Sequence, residues 1–277
     1  MPHRTRFDWS QPFVYLVALV AIGITMAPVA YVAINGFRTT AALNADPAGW
    51  PDPWILDNYA RVLTSESFWT QVLNSSITAL GTTLGVVVLG VMAAFVIARY
   101  EFRGRDALYS LFTAGLLFPI TVAVLPLYLL LRSFGLLGTL AGIMIPQVAF
   151  ALPVTIIILV PFLRAIPGEL EDAAVIDGTS RFGFFWRILL PLSGPGLVTV
   201  GVLAFVGSWN AYLLPLLMLG NPDNYTLPLG VQYFSTAYSQ DTAAVLAFTS
   251  LAMLPALIFF SLAQRRIVGG LTGAVKG

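Results

Sequence analysis

The chain has 277 residues, 58% hydrophobic and only 10% charged, with a formal net charge of +1 and a mean hydropathy of +0.85. Soluble domains carry about 25% charged residues, so this composition describes an integral membrane protein, and its balanced charge excludes a nucleic-acid partner. There is no cysteine, which excludes disulfides and thiolate metal sites, and the single histidine, His3, gives no basis for a metal or catalytic centre.

A membrane-spanning helix needs about 20 apolar residues, and six stretches meet that length: residues 12–34, 77–98, 107–131, 139–163, 195–219 and 243–263. The predicted fold class is all-α, with six transmembrane helices in one membrane domain covering residues 1–277. The first stretch exceeds an h-region of about 7–15 residues and lacks a clean cleavage site, so it reads as a retained helix. Residues 37–68 follow as a long outer loop with Trp50 and Trp54, and its Asp57–Leu63 stretch reads as a short amphipathic helix. Gly81 and Gly85 in the second span permit close helix contact. Prolines recur inside the spans (Pro28, Pro119, Pro126, Pro146, Pro153, Pro161, Pro215, Pro255) and predict kinks. Residues 220–242 make a second large outer loop. Each outer loop reads either as a docking surface for an external protein or as ordinary interfacial structure anchored by Trp and Tyr.

None of the six stretches contains Asp, Glu, Lys, Arg or His. Carriers driven by ions or protons place ionisable groups at membrane depth, so a stand-alone secondary carrier is disfavoured. The only lysine is Lys276, so a GxxxxGK[ST] phosphate loop cannot occur. No catalytic residue is predicted, and no paired carboxylate within the spans supports an enzyme. Polar residues at or beside the spans include Asn74, Ser75, Ser76, Gln147, Ser208 and Asn210, the last flanked by Trp209 and Tyr212. An amide in lipid must find a partner. Asn74, Gln147, Trp209, Asn210 and Tyr212 are either a substrate path, with hydrogen bonds and aromatic faces suited to a sugar, or glue between helices.

Lys and Arg fix the predicted orientation. One side holds eleven: Arg4, Arg6, Arg99, Arg103, Arg105, Arg164, Arg181, Arg187, Arg265, Arg266 and Lys276. The other holds three: Arg38, Arg61 and Arg132. The rich side is cytoplasmic, which puts both termini and residues 167–191 inside the cell.

Residues 167–191, PGELEDAAVIDGTSRFGFFWRILLP, form a charged segment between apolar runs. Glu169, Glu171 and Asp172 suit the positive end of a helix. Leu170, Ala173, Ala174 and Asp177 share one face, Gly178 breaks the helix, and Thr179 or Ser180 can cap a second one. There Phe182, Phe185, Trp186 and Leu189 recur at helical spacing. The plain alternative is an amphipathic helix pair on the lipid surface.

This segment resembles the EAA loop of ABC-transporter permeases: Glu-Ala-Ala, three residues, Gly, nine residues, Ile, one residue, Leu-Pro. Here Asp172, Ala173, Ala174, Gly178, Ile188, Leu190 and Pro191 keep every spacing, with Asp172 in place of the glutamate and Glu171 beside it. The resemblance implies that Glu171, Asp172, Ala173, Ala174, Gly178, Phe182, Phe185, Ile188, Leu190 and Pro191 couple the chain to a cytoplasmic ATPase. Further stretches (residues 93–105, 176–180, 190–197 and 208–210, and Thr226-Leu227-Pro228) are similar to carbohydrate-uptake permeases of the maltose-transporter type, specifically the second of their two membrane subunits. Their usual ending, Gly-Leu-Thr-Ala-Gly-Ala-Val-Lys-Gly, is present one residue short within the tail 264–277, which implies an ATPase contact through Gly273, Ala274, Val275 and Lys276. Ala211 departs from the branch, which commonly has an acid there.

The resemblance implies a complex of this chain, a homologous second permease, two copies of an ATP-binding subunit and an extracytoplasmic solute-binding protein, in the bacterial cytoplasmic (inner) membrane. The substrate it implies is a sugar. ATP and Mg would bind to the ATPase, and this chain itself would hold no cofactor and no metal. The alternatives are an ABC permease for a glycerophospho compound, amino acid or peptide, and a secondary carrier.

Overall fold

The computed structural model describes residues 12–234 and 241–274, with backbone alone for Tyr233 and residues 262–274. The described residues form no strand. The helices are α1 Pro12–Asn35, α2 Thr40–Ala45, α3 Asp57–Leu63, α4 Glu66–Arg99, α5 Arg105–Gly115, α6 Ile120–Ser133 and α7 Leu140–Arg164. They continue with α8 Glu169–Ile176, α9 Arg181–Phe184, a π-helical turn Phe185–Leu189, α10 Leu190–Leu192 and α11 Gly194–Trp209, then α12 Leu213–Met218, α13 Leu227–Gly230 and α14 Thr242–Ala274.

Four helices, α1, α4, α7 and α14, are long and apolar enough to cross a membrane, and two bent pairs bring the number to as many as six. The pairs differ from the expected spans. Residues 107–131 do not form one helix: α5 and α6 meet at 100°. Pro119 stands between them with φ −74° and ψ 129°, and the residue before a proline is pushed out of the helical region. Residues 195–219 also break. Helix α11 ends at Trp209, and Asn210 caps it through N–H bonds to Val206 and Ser208 carbonyls. Pro215 in the next turn has no N–H to offer the Ala211 carbonyl. The other bend, 75°, lies between residues 181–192 and α11. By contrast α7 runs unbroken through Pro146, Pro153 and Pro161.

The chain divides into two compact units. The first contains α1, α2, α3 and the start of α14 to Met253. Its α3 matches the helix expected at residues 57–63. Arg38, 5% exposed, holds the turn after α1: it donates to Asn35 Oδ1 at 3.0 Å and to the Ala42 and Asp46 carbonyls at 3.0 and 2.9 Å. Tyr59 donates to the Ala33 carbonyl at 2.6 Å.

The second unit contains α4 to α13 and α14 from Leu254. Here α4 and α7 pack along the glycine face expected of α4. A Cβ on Gly81 would meet Met144 Sδ at 2.5 Å, one on Gly85 Val148 Cγ2 at 2.8 Å, and one on Gly90 would run into Thr155 Cγ2. Small residues let the two backbones approach this closely. Beyond the glycines, Ala94, Phe95 and Ile97 of α4 and Leu159, Val160 and Leu163 of α7 form a core that receives Phe184, Phe185 and Leu189. That core fixes the segment 167–191 to the bundle.

Candidate coupling loop and substrate path

The segment 167–191 folds as two short helices joined at Gly178, as its sequence predicts. Helix α8 ends in a Schellman motif: the Gly178 N–H bonds to the Val175 carbonyl at 3.0 Å and the Thr179 N–H to the Ala174 carbonyl at 2.8 Å. Gly178 has φ +75°, a conformation that L side chains rarely adopt. Ser180 is the cap of α9, its Oγ accepting from the Gly183 N–H at 3.1 Å.

The two faces of this loop divide differently from the expected stripes. Of Leu170, Ala173, Ala174 and Asp177, only Ala174 is buried. In the second helix Phe185 and Leu189 are buried with Phe184, whereas Phe182 and Trp186 are 73% and 51% exposed. The π-helical turn explains the split. Residues i and i+5 lie roughly 140° apart on an α-helix, but a π-turn closes i onto i+5. Leu190 N–H bonds to the Phe185 carbonyl in this way, and Phe184 and Leu189 enter the same core. Outside remain Asp172, Ala173, Val175, Ile176, Phe182 and Trp186, with Pro191 exposed and Ile188 and Leu190 half-buried. Val175 and Ile176, at 60% and 85% exposure, were not singled out from the sequence. Two β-branched side chains just before a helix-ending glycine were the available signal.

Glu171 and Asp172 have separate surroundings. Asp172 is exposed. Glu171 lies 3.9 Å from Arg99 Nε, the side chains 22% and 9% exposed respectively. Arg181 places its guanidinium 5.1 Å from the centre of the Tyr100 ring. Burial pushes the Tyr100 hydroxyl above the usual tyrosine range, and the Glu171 carboxylate adds to the rise. This cluster ties the end of α4 to α8 and α9. The tail residues Val275 and Lys276 lie outside the described residues, and Gly273 and Ala274 are described only as the last helical backbone of α14.

The five expected path residues do not form one group. Asn74 donates to the Asp223 and Tyr225 carbonyls at 2.8 and 3.0 Å, holding the loop after α12 to α4. Trp209 is 4% exposed and stacks on Phe205 at 5.7 Å. Asn210 is exposed at the α11 cap, not mid-helix as the span 195–219 implied. Gln147 and Tyr212 do come together. They line a cavity of about 350 Å³ with Thr82, Phe150, Gly207, Ser208 and Ala211 among its walls. Gln147 Oε1 accepts from Thr82 Oγ1 at 3.2 Å and Ser208 Oγ at 2.5 Å. No group of three or more His, Cys, Asp or Glu placed to hold a metal occurs among the described residues.

Residues 86–272 match the family described as the binding-protein-dependent transport system inner membrane component. The diacetylchitobiose uptake system permease protein NgcG of Streptomyces coelicolor is 35% identical over 90% of this chain and 83% of its own length. The trehalose transport system permease protein SugB of Mycobacterium tuberculosis is 35% identical over 93% of this chain and 95% of its own. In fold, the chain is similar to a chain of a bacterial ABC transporter that imports the acidic polysaccharide alginate, with a TM-score of 0.77 at 21% identity over 96% of this chain and 99% of that one. The buried anchor and exposed outer face of the 167–191 loop thus sit in a chain that belongs to the binding-protein-dependent transport system inner membrane components, a multi-pass permease of an ABC transporter.

Proposed function

We propose that this chain is one permease subunit of an ATP-driven, binding-protein-dependent importer of sugars or oligosaccharides. The family match over residues 86–272 carries the class, and relatives named for diacetylchitobiose and trehalose uptake support the substrate class. The chain lines half of the translocation path and a homologous second permease lines the other half. Two copies of an ATP-binding subunit, which hold ATP and Mg, supply the energy, and an extracytoplasmic binding protein delivers the sugar. Both termini and the loop 167–191 face the cytoplasm, a reading supported by the eleven-to-three distribution of Lys and Arg.

The loop geometry supports a division of labour. Phe184, Phe185 and Leu189 anchor the loop in the core, while Asp172, Ala173, Val175, Ile176, Phe182 and Trp186 offer the ATPase an apolar surface with one acid. Gly178 sets the angle between the two helices, and the tail residues Gly273, Ala274, Val275 and Lys276 reach the same partner. The test is uptake by the complete complex in proteoliposomes with ATP inside and loaded binding protein outside. ATP-dependent accumulation of a disaccharide is expected; accumulation of an amino acid or peptide and no sugar would overturn the substrate class. Labelling of Ser180→Cys from outside intact cells would overturn the orientation.

A further inference from the structure

The most apolar stretch of α1 has none of its residues buried, so no packing within this chain sets its depth along that stretch. Its end is fastened instead by the residues that follow it. Tyr31 donates to the Pro47 carbonyl at 3.1 Å, the Ile55 N–H to the Phe37 carbonyl at 2.8 Å, and Asn58 Nδ2 to the Gly36 and Arg38 carbonyls at 2.9 and 2.8 Å. Between these ties the loop presents two tryptophans. The Trp54 ring lies 5.2 Å from that of Phe37, and Trp50 meets Trp54 edge-on at 6.0 Å. Both remain more than half exposed, at 68% for Trp50 and 53% for Trp54. The patch continues the exposed apolar surface of α1.

The depth of this patch follows from α1. At about 1.5 Å per residue, its 24 residues slightly exceed a hydrocarbon core of about 30 Å. Residues 31–37 therefore lie where hydrocarbon gives way to headgroups. Because Tyr31 is tied to Pro47 and Phe37 to Ile55, the loop folds back to that level and does not extend into water. Tryptophan suits this layer: its ring fills the apolar side and its N–H reaches the wet side. Asp52, exposed between the two rings in sequence, limits the depth, because an unpaired carboxylate is not carried into hydrocarbon. The headgroup layer solvates that carboxylate while taking up the rings. The desolvated centre of a protein interface, depleted of charge, does not.

We infer that residues 46–56 form an aromatic anchor that seats in the headgroup layer of the bilayer through Trp50 and Trp54 and fixes the depth at which α1 ends. The inference rests on the membrane-spanning fold and not on what is transported. The test uses the purified complex containing the full chain, in phosphatidylcholine vesicles whose acyl chains carry bromine near the glycerol end, since bromine quenches indole emission on contact. Subtracting the emission of a variant with Trp50→Phe and Trp54→Phe isolates these two tryptophans, because phenylalanine keeps an apolar ring and lacks the indole. That difference signal should lose about half or more of its intensity relative to unbrominated vesicles. It should lose less when the bromine sits near the methyl end, and it should not change when loaded binding protein is added. Emission indifferent to bromine would overturn the anchor. Emission that responds to binding protein and not to bromine would overturn it too, and would assign the surface to that partner. A second measurement does not need the double variant. The chain has no cysteine of its own, so a spin label on Trp50→Cys, with Trp54 kept and the partner subunits freed of cysteine, reads the same depth. The label should collide more often with oxygen, which concentrates in lipid, than with a water-soluble nickel chelate; the reverse order would overturn the inference.

Discussion

Arg99, the last residue of α4, and Glu171, in the first turn of α8, stand 3.9 Å apart and join the end of a long spanning helix to the loop 167–191. Arg99 is nine-tenths buried, and its Nε and Nη2 make no hydrogen bond, so Glu171 is its counter-charge. Glu171 is thus engaged with Arg99, whereas Asp172 is exposed. Glu171→Gln leaves a buried guanidinium unpaired and should cost about 3 kcal/mol, read as a lower melting temperature of the purified complex. Adding Arg99→Met to it should recover most of that loss, since a double-mutant cycle isolates the pair. Asp172→Asn should change stability by less than about 0.5 kcal/mol yet lower ATPase stimulation by loaded binding protein. Equal melting of Glu171→Gln and wild type would show that the pair is not a tie.

Gly178 is constrained by its backbone and not by space. Its φ is +75°, and a Cβ there would touch nothing within 4 Å. The cost of substitution is then the left-handed conformation alone, about 1–2 kcal/mol for alanine, less for asparagine and more for β-branched valine. Uptake should follow the order Gly, Asn, Ala, Val, with the valine variant still inserted in the membrane but uncoupled from ATP hydrolysis. An alanine variant that outperforms the asparagine one would mean that the docking surface, and not the hinge angle, governs coupling.

The helices and the helix–glycine–helix form of residues 167–191 were readable from sequence because they rest on local rules: apolar length for α1, α4, α7 and α14, a glycine stop at residue 178, a serine cap at residue 180. The breaks were readable only in part. Kinks were expected at every proline within the spans, but residues 107–131 and 195–219 read as continuous apolar runs, and hydropathy does not register that the chain breaks near Pro119 and Pro215 while Pro146, Pro153 and Pro161 leave α7 intact. The division of Phe182, Phe185, Trp186 and Leu189 between two faces required the π-helical turn, which has no periodic signature at 3.6 residues. The partners of Glu171, and the cluster that Gln147 forms with Thr82 and Ser208, come from distant helices brought together by packing, which spacing along one chain does not encode.

Two amides that looked alike in sequence now separate. Asn74, 8% exposed, holds the Asp223 and Tyr225 carbonyls. Asn74→Leu should leave both without that donor and destabilise by about 2 kcal/mol. Asn210→Leu, at an exposed helix end, should stay within about 0.5 kcal/mol of wild type. Melting of the two variant complexes checks this pair, and a larger loss from Asn210→Leu than from Asn74→Leu would reverse the assignment.

Asp241, just before α14, gives the first unit an acid-sensitive tie. Burial works to raise its pKa, but bonds from Thr40 Oγ1 at 2.7 Å, Arg61 at 2.5 Å and the Ala244 N–H, with the charge of Arg61, outweigh it and hold the carboxyl below its ordinary value of 3.8. A carboxyl whose folded pKa is depressed binds fewer protons in the folded state, so the folded state gains as pH rises. The stabilisation is complete above the ordinary value and is lost as pH falls below 3.8 through the folded value. The Asp241 and Arg61 side chains are 37% and 53% exposed, so salt should screen the charge part and leave the Thr40 bond. Melting temperature followed from neutral pH down to about pH 3 should fall more steeply for wild type than for Asp241→Asn, which carries no charge to lose. High salt should narrow that gap without closing it. Acid limbs that coincide at low salt would show that Asp241 is not the group that titrates.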